Sequence, residues 1–419
     1  MKPITLIVIG AGGRGTTYTD YAVMHPDQAR VVGVAEPREF YRNRMASRHG
    51  IPPENVCTDW RPLAGRPRFA DAALLCTPDA HHVAPALALV EKGYNVLCEK
   101  PMAPNEADCR RVAAAAVKGG NLFAVCHVLR YTDYTQRLKK LIDSGAIGQV
   151  VNLQHFEPVG YWHQAHSFVR GLFRNEAESS PMLMAKSCHD LDWIQYIMGG
   201  RCTAVSSFGG LHHFRKEQRP PRAADRCLDC PIEPQCPYSA LKLYLGLVAR
   251  GQTGWPVDML TPDVTAEGVR EALRTGPYGR CVYACDNDAV DHQVVNMQFE
   301  GNRTASFTMT AFNRARDRLT RIFGTRGELY GDGRTIEHFD FLSDKTQTLD
   351  TEAPPGSLGT YGHGGGDYRL MQAFVAAVAA GDPSQILSGP EVTLQTHLMV
   401  FAAEKARREN RVVELVTRA

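Results

Sequence analysis

The N-terminal part of the chain alternates short, nearly continuous apolar runs with stretches of helical periodicity. Residues 4–9, 30–35, 72–76, 95–98 and 122–126 predict strands buried on both faces. Residues 84–92 and 106–117 predict the helices between them. Strand–helix alternation implies a doubly wound parallel sheet with right-handed crossovers. Beyond about residue 128 the pattern changes. Helical periodicity marks 134–144, 187–198, 367–379 and 391–409. Residues 149–157, 204–210, 291–299, 304–311, 318–323 and 328–330 alternate with period two, which predicts a large, mostly antiparallel open sheet with one covered face. The expected organisation is therefore a Rossmann domain over 1–128 and an α+β domain over 129–419. The second domain carries a Pro-, Arg- and Cys-rich insertion at about 215–288 with weak regular structure.

The first strand ends in Gly10-Ala11-Gly12-Gly13-Arg14-Gly15, a G-x-G-x-x-G turn opening a helix. Gly10 permits the tight turn, Gly12 lets backbone approach a pyrophosphate, Gly15 allows close helix–strand packing, and the helix N-terminus favours the anion. Glu36 ends the second strand at the distance where a carboxylate binds both ribose hydroxyls. It would repel a 2′-phosphate, so the expected cofactor is NAD rather than NADP, although Arg38 and Arg42 stand close by.

Length, 419 residues, calls for more than one domain. Composition is that of an ordinary globular chain, 44% hydrophobic and 22% charged. A net charge of +2 offers no basic field for nucleic acid or an anionic membrane, and no apolar run is long enough to span one. The N-terminus lacks signal-peptide character, and cysteines such as Cys76, Cys98 and Cys126 sit in apolar runs, so a reducing cytoplasm is expected.

Cys98-Glu99-Lys100-Pro101, with Thr77-Pro78-Asp79-Ala80-His81-His82 before it and the glycine turn, resembles the Gfo/Idh/MocA family of NAD(P)-dependent sugar and polyol oxidoreductases. The resemblance covers nearly the whole chain outside the insertion. It implies that Lys100 lies beside the nicotinamide and the reacting hydroxyl, that Thr77, Pro78 and His82 lie near the cofactor, and that Arg14 and Glu99 join that site. Position at the carboxyl edge of the sheet supports the role of Lys100, since ligands of open α/β sheets bind there. A partly desolvated lysine beside a cationic ring can exchange a proton.

Lys186-Ser187-Cys188-His189-Asp190-Leu191-Asp192 resembles the family's histidine-to-aspartate stretch, and His189 and Asp192 share a helix face. Members often carry an Asp four residues before the histidine. Here that position is Ala185, and Lys186 beside it is the substitute acid, base or hydroxyl donor. The tract from Tyr161 to Arg170 is dense in aromatic and hydrogen-bonding groups and is expected as loop facing the site; a subset of the family has its Ala-His-Ser-x-Val-Arg-Gly pattern. Tyr161, His166 and Arg170, with Arg130, Asp192 and His363, are the expected contacts to substrate hydroxyls and sugar ring faces.

Cys227, Cys230 and Cys236 fall in the insertion as C-x2-C-x5-C, with Cys281 and Cys285 later. Four thiolates around zinc would staple a core-poor segment, with Cys285 as the fourth ligand. The Cys236-Pro237 step also resembles iron–sulfur loops, and uncomplexed thiols remain open. The resemblance implies a homo-oligomer, a dimer or tetramer built on the open face of the second sheet. Three functions compete. One is hydride transfer between a carbohydrate ring carbon and NAD. Another is an NAD-dependent glycosidase that oxidises the ring transiently, eliminates, adds water and re-reduces. The third, a non-catalytic dinucleotide sensor, is disfavoured by Lys100 and His189 together.

Overall fold

The apolar runs of the first domain form the expected parallel sheet. In the computed structural model, which describes residues 2–351 and 362–415, its strands are β1 (Ile4–Ile9), β2 (Ala29–Ala35), β3 (Val56–Cys57), β4 (Ala72–Leu75), β5 (Asn95–Cys98) and β6 (Phe123–Val125). They lie in the order β3-β2-β1-β4-β5-β6, every neighbouring pair parallel. Chain direction across the sheet switches between β1 and β4, so the crevice at their carboxyl ends is the ligand position of such folds. The turn after β1 needs glycine: Gly10 has φ +93°, and a Cβ there would lie 2.5 Å from the Cys76 carbonyl oxygen.

The second sheet has nine strands: β7 (Val150–Pro158), β8 (Cys202–Gly210), β9 (His292–Phe299), β10 (Arg303–Thr310), β11 (Leu319–Gly324), β12 (Gly327–Gly331), β13 (Thr335–Asp340), β14 (Lys345–Asp350) and β15 (Val413–Glu414). Their order is β14-β13-β12-β11-β7-β10-β9-β8-β15. Only β7 and β10 pair in parallel; the other neighbours are antiparallel. In β9 the buried Gln293, Val295, Met297 and Phe299 alternate with the exposed His292, Val294, Asn296 and Gln298. The buried side meets helices Cys188–Met198 and Pro390–Glu409, whose Leu191, Ile194, Met399 and Val400 share one core with Leu153, Val295 and Phe307.

The sequence boundary near residue 128 is not a packing boundary. Helix Gly366–Ala380 inserts Leu370, Met371, Phe374 and Val375 among Leu6, Val8 and Tyr18 of the first domain. Two further differences concern the region expected to be loop. Residues 161–170 are helical, ending in a wide i→i+5 turn over Ala165–Arg170, and Gln164 to Arg170 are all buried. The insertion has a small core of its own, where Tyr244, Val257, Val269, Leu273 and Tyr278 pack around helix Ala266–Thr275. Among the described residues no helix is long and apolar enough to cross a membrane.

Phe374→Ala tests the shared core. Truncating this fully buried ring should destabilise the protein by about 3–5 kcal/mol in urea unfolding. A loss under about 1 kcal/mol would show that the helix does not belong to the first domain's core.

Candidate active site

The carboxyl edge of the parallel sheet gathers the expected cofactor residues. Helix Gly13–Met24 starts after Gly12 with no side chain capping its first turn. A Cβ on Gly13 would meet nothing within 4 Å, whereas one on Gly15 would lie 2.1 Å from the Gly10 carbonyl oxygen. Unclaimed first-turn N–H groups beside open space are what a pyrophosphate requires. Glu36 is buried and accepts the Ala11 N–H at 2.9 Å. Arg38 grips the same carboxylate through Nε (2.7 Å) and Nη2 (3.0 Å) while lying over Tyr41. Burial works against ionisation of Glu36, but the bonds from Arg38 hold its pKa below the ordinary carboxylate value. These residues fit a dinucleotide, with Arg38, half-exposed, free to yield Glu36 to ribose hydroxyls.

Thr77 and Pro78 form the turn after β4. His82 is buried there, its ring nitrogens each 2.7 Å from a backbone carbonyl, of Thr77 and of Pro101. It therefore braces the Thr-Pro turn against the Lys-Pro turn.

Lys100 follows β5 and crosses to the second domain, where Nζ donates to the Ala185 carbonyl at 2.5 Å. Its neighbour Glu99 is buried and accepts from Lys100 N (2.8 Å), Tyr18 Oη (2.7 Å) and Arg14 Nε (2.6 Å). Arg14 also pairs with Asp367, and Asp367 lies 3.0 Å from His363 Nδ1. Burial opposes the charge on both carboxylates, yet Arg14 keeps the pKa of each low. Arg14 and Glu99, expected at the cofactor, are thus committed to an ion network between the domains.

Around Lys100 stand four histidines. The His127 and His189 rings are 5.9 Å apart, His127 and His397 5.6 Å, and His189 and His363 6.0 Å. Among the described residues neither ring nitrogen of His127 makes a hydrogen bond, Nδ1 lying 3.7 Å from Asp192 Oδ2, and His189 Nδ1 makes none. Burial, then nearby positive charge, holds His189 and His397 well below the usual imidazole range. Burial lowers His127 to about 4. The structure thus brings together Lys100, His189 and His363, and adds His127 and His397. Of these two, His127 was detectable, since it follows the last parallel strand at the same edge as Lys100.

Lys186 points elsewhere, to Glu157 Oε1 at 3.0 Å. Glu157 and Asp190 both pair with Arg318, at 2.9 and 2.7 Å, and His155 Nε2 lies 3.1 Å from Asp190. His163 is held well below its usual pKa by burial and then by the charges of Lys186 and others. A cavity of about 280 Å3 is lined by His155, Trp193, Arg318, Thr320 and His363.

Four expected contacts are redirected. Asp192 is gripped by Arg130 through Nε (2.6 Å) and Nη2 (2.8 Å), both side chains buried. Two opposite charges in one dry space satisfy each other, so neither is open to substrate hydroxyls. His166 stacks on Tyr278 and lies 2.8 Å from Tyr244 Oη, inside the insertion. Arg170 donates to the carbonyls of Arg280 (2.7 Å) and Tyr238 (2.8 Å). The wide turn aims both at a segment remote in sequence. Tyr161 is exposed at the edge of that segment, 6.3 Å from Tyr238.

The expected zinc site with Cys285 is corrected as well. Among the described residues no three His, Cys, Asp or Glu side chains converge as a single metal ion requires. The Cys285 thiol turns away to the Cys281 carbonyl at 3.3 Å.

Comparison with known proteins fits this geometry. The oxidoreductase family with an NAD-binding Rossmann fold, Gfo/Idh/MocA, matches residues 4–127, and its C-terminal alpha/beta domain matches 139–415. The chain belongs to this family. A 2,7-anhydro-N-acetylneuraminate hydratase of Mediterraneibacter gnavus is 28% identical over 213 residues, 50% of this chain and 53% of the relative. An inositol 2-dehydrogenase of Streptomyces avermitilis is 30% identical over 202 residues, 48% and 54%. The matched stretch thus spans about half the length of each. A levoglucosan dehydrogenase, solved with NADH and levoglucosan, superposes with a TM-score of 0.73 at 18% identity, covering 99% of this chain and 100% of that one.

The buried histidines set a pH dependence. Neutral when folded and ionising near 6.5 when unfolded, they contribute stability that is full above about pH 6.5 and is lost as pH falls toward 4. At pH 5 the contribution lost at His127 is about 2 kcal/mol. Urea unfolding at pH 7.5 and pH 5 should show the loss, reduced in His127→Gln; a pH-independent stability would contradict it.

Proposed function

We propose that the protein is an NAD-dependent oxidoreductase that transfers hydride at a carbohydrate or polyol ring carbon. The observation carrying this reading is Lys100, which follows β5 at the carboxyl edge of the parallel sheet with its ammonium reaching across to helix Met182–Ala185. Bound NAD supplies the hydride acceptor. The chain supplies a proton acceptor and hydrogen-bonding groups that hold the hydroxyl. A C–H bond gives up hydride as its O–H loses a proton, so a base must stand within hydrogen-bond reach. Lys100 and His189 fill that role in this reading. His127 Nε2 and His189 Nδ1, which make no hydrogen bond among the described residues, are buried polar atoms that substrate hydroxyls would satisfy. The names of the relatives, an inositol dehydrogenase and a levoglucosan dehydrogenase, support a ring polyol substrate.

A second reading rests on the Lys186–Glu157 pair, which offers acid–base groups beyond Lys100. Such groups suit a redox-neutral glycosidase or hydratase that oxidises the ring transiently, and one relative is named as an anhydro-sugar hydratase. Turnover in deuterated water separates the two. Net oxidation accumulates NADH in step with product and leaves glycosidic bonds intact. The redox-neutral route releases product with no net NADH and with deuterium at the carbon beside the oxidised one. Absence of both outcomes across a screen of sugars, polyols and glycosides would refute enzymatic action on carbohydrate.

Calorimetry should give tighter binding of NAD than of NADP, because the buried Glu36 carboxylate repels a 2′-phosphate. A clear preference for NADP would assign Arg38 to the phosphate instead. We also propose a homo-oligomer, dimer or tetramer, formed on the open face of the second sheet. The cross-strand pair Phe208 and Val294 is exposed there. Sedimentation at micromolar concentration should show an assembly that Phe208→Lys weakens; a monomer throughout would refute it.

A further inference from the structure

The insertion encloses a cavity of about 200 Å3 whose wall carries four thiols, those of Cys227, Cys230, Cys236 and Cys281. Three come from one short stretch, and Pro237 follows the third. The fourth arrives from the far end of the insertion. An antiparallel bridge between Arg226 and Arg280, and the Cys281 N–H bonded to the Asp225 carbonyl at 2.8 Å, set it beside the others.

Arg170 lines the same cavity. Its side chain is 1% exposed, and no carboxylate pairs with it among the described residues. Nε and Nη2 reach backbone carbonyls, Nη2 also lies 3.5 Å from Cys227 Sγ, and Nη1 has no partner. Glu233 is on the wall too, but it accepts the Ser239 hydroxyl. A buried guanidinium with an unmatched N–H and no counter-charge is costly. Ionised thiols would provide the missing charge, and ligation to a metal ionises them.

Zinc does not suit this space. It draws four thiolates to about 2.3 Å and leaves no void between them. Here the thiols surround an open volume, and no three donors converge on one point among the described residues. An iron–sulfur cluster has the opposite requirement: iron and inorganic sulfide fill the centre, and four cysteines stand around it. A Cys-Pro step ending a run of closely spaced cysteines occurs in such sites. We propose that Cys227, Cys230, Cys236 and Cys281 ligate a [4Fe–4S] cluster, with Arg170 donating to its sulfur atoms. The cluster orders the insertion, which in turn touches both sides of the cleft. Trp255 packs on Trp162 and His163, and the Asp258 carbonyl accepts from Tyr41 of the first domain.

The test is anaerobic purification of the full chain from iron-supplemented cells. Iron, zinc and acid-labile sulfide are assayed, and spectra are recorded before and after dithionite. About four iron and four sulfide per chain are expected, with a broad visible absorption that dithionite bleaches and an electron paramagnetic resonance signal on reduction. Metal-free protein should gain the same spectrum on anaerobic incubation with ferric iron, sulfide and dithiothreitol, the dithiol reducing half of the iron to the ferrous state. Cys236→Ser and Cys281→Ser should lose the absorption and the labile sulfide, and Cys285→Ser should keep both. About one zinc per chain without sulfide, or failed reconstitution of the wild-type chain, would overturn the proposal. Retention in Cys281→Ser with loss in Cys285→Ser would overturn the assigned fourth ligand.

Discussion

One guanidinium holds the two halves of the site in register. Arg14 leaves the glycine turn and binds Glu99, the residue before Lys100, and Asp367, at the start of the late helix. Both carboxylates are buried, and ionised carboxylates are stable there only because a cation and further hydrogen bonds meet them. The same contacts fix three things together: the turn that would cradle a pyrophosphate, the loop that presents Lys100, and the segment that carries His363. Helix Gly366–Ala380 can pack as part of the first domain's core because its N-terminal end is tied down in this way.

Around that tie the polar groups divide into two kinds. Three of the histidines near Lys100, His127, His189 and His397, are buried and held neutral, so they act as hydrogen-bonding groups rather than charges. The Lys186, Glu157, Arg318 and Asp190 group is ionic, and its carboxylates are compensated by two cations. A site with neutral acceptors beside the cofactor edge and a charged acid–base set beyond it can handle a proton at one ring carbon and leave further proton transfers to the second set. This separation is why net oxidation and a redox-neutral route are both chemically reasonable for one geometry.

Much of the architecture was legible because it is written locally. Strands buried on both faces, the glycine turn and the period-two alternation of β9 need no distant partner to be recognised. β13 and β14 were not, since every residue of β14 is exposed and its pattern lacks an apolar face. For the site, Lys100 and His189 were expected from the family resemblance, which position after a strand and on a helix supported. His166, Arg170 and Asp192, expected on substrate hydroxyls, are each met in the structure by a group remote in sequence. The carbonyls of Tyr238 and Arg280 lie within the insertion, and the Asp192 carboxylate meets Arg130 from a separate part of the chain. Cys285 was favoured because Cys281 borders a Tyr-Gly-Arg turn, whereas the fold of the insertion turns Cys281 into the cavity.

Lys100, as the group proposed to handle the proton at the reacting carbon, is the most exposed to test. Lys100→Met separates that role from cofactor binding, because it leaves intact the glycine turn and Glu36, the groups proposed to hold the dinucleotide. Steady-state turnover on the identified substrate, measured beside NAD affinity, is the direct test. Turnover lower by about 10²–10⁴ with NAD affinity within a few fold is the predicted result. Near wild-type turnover in Lys100→Met would contradict it.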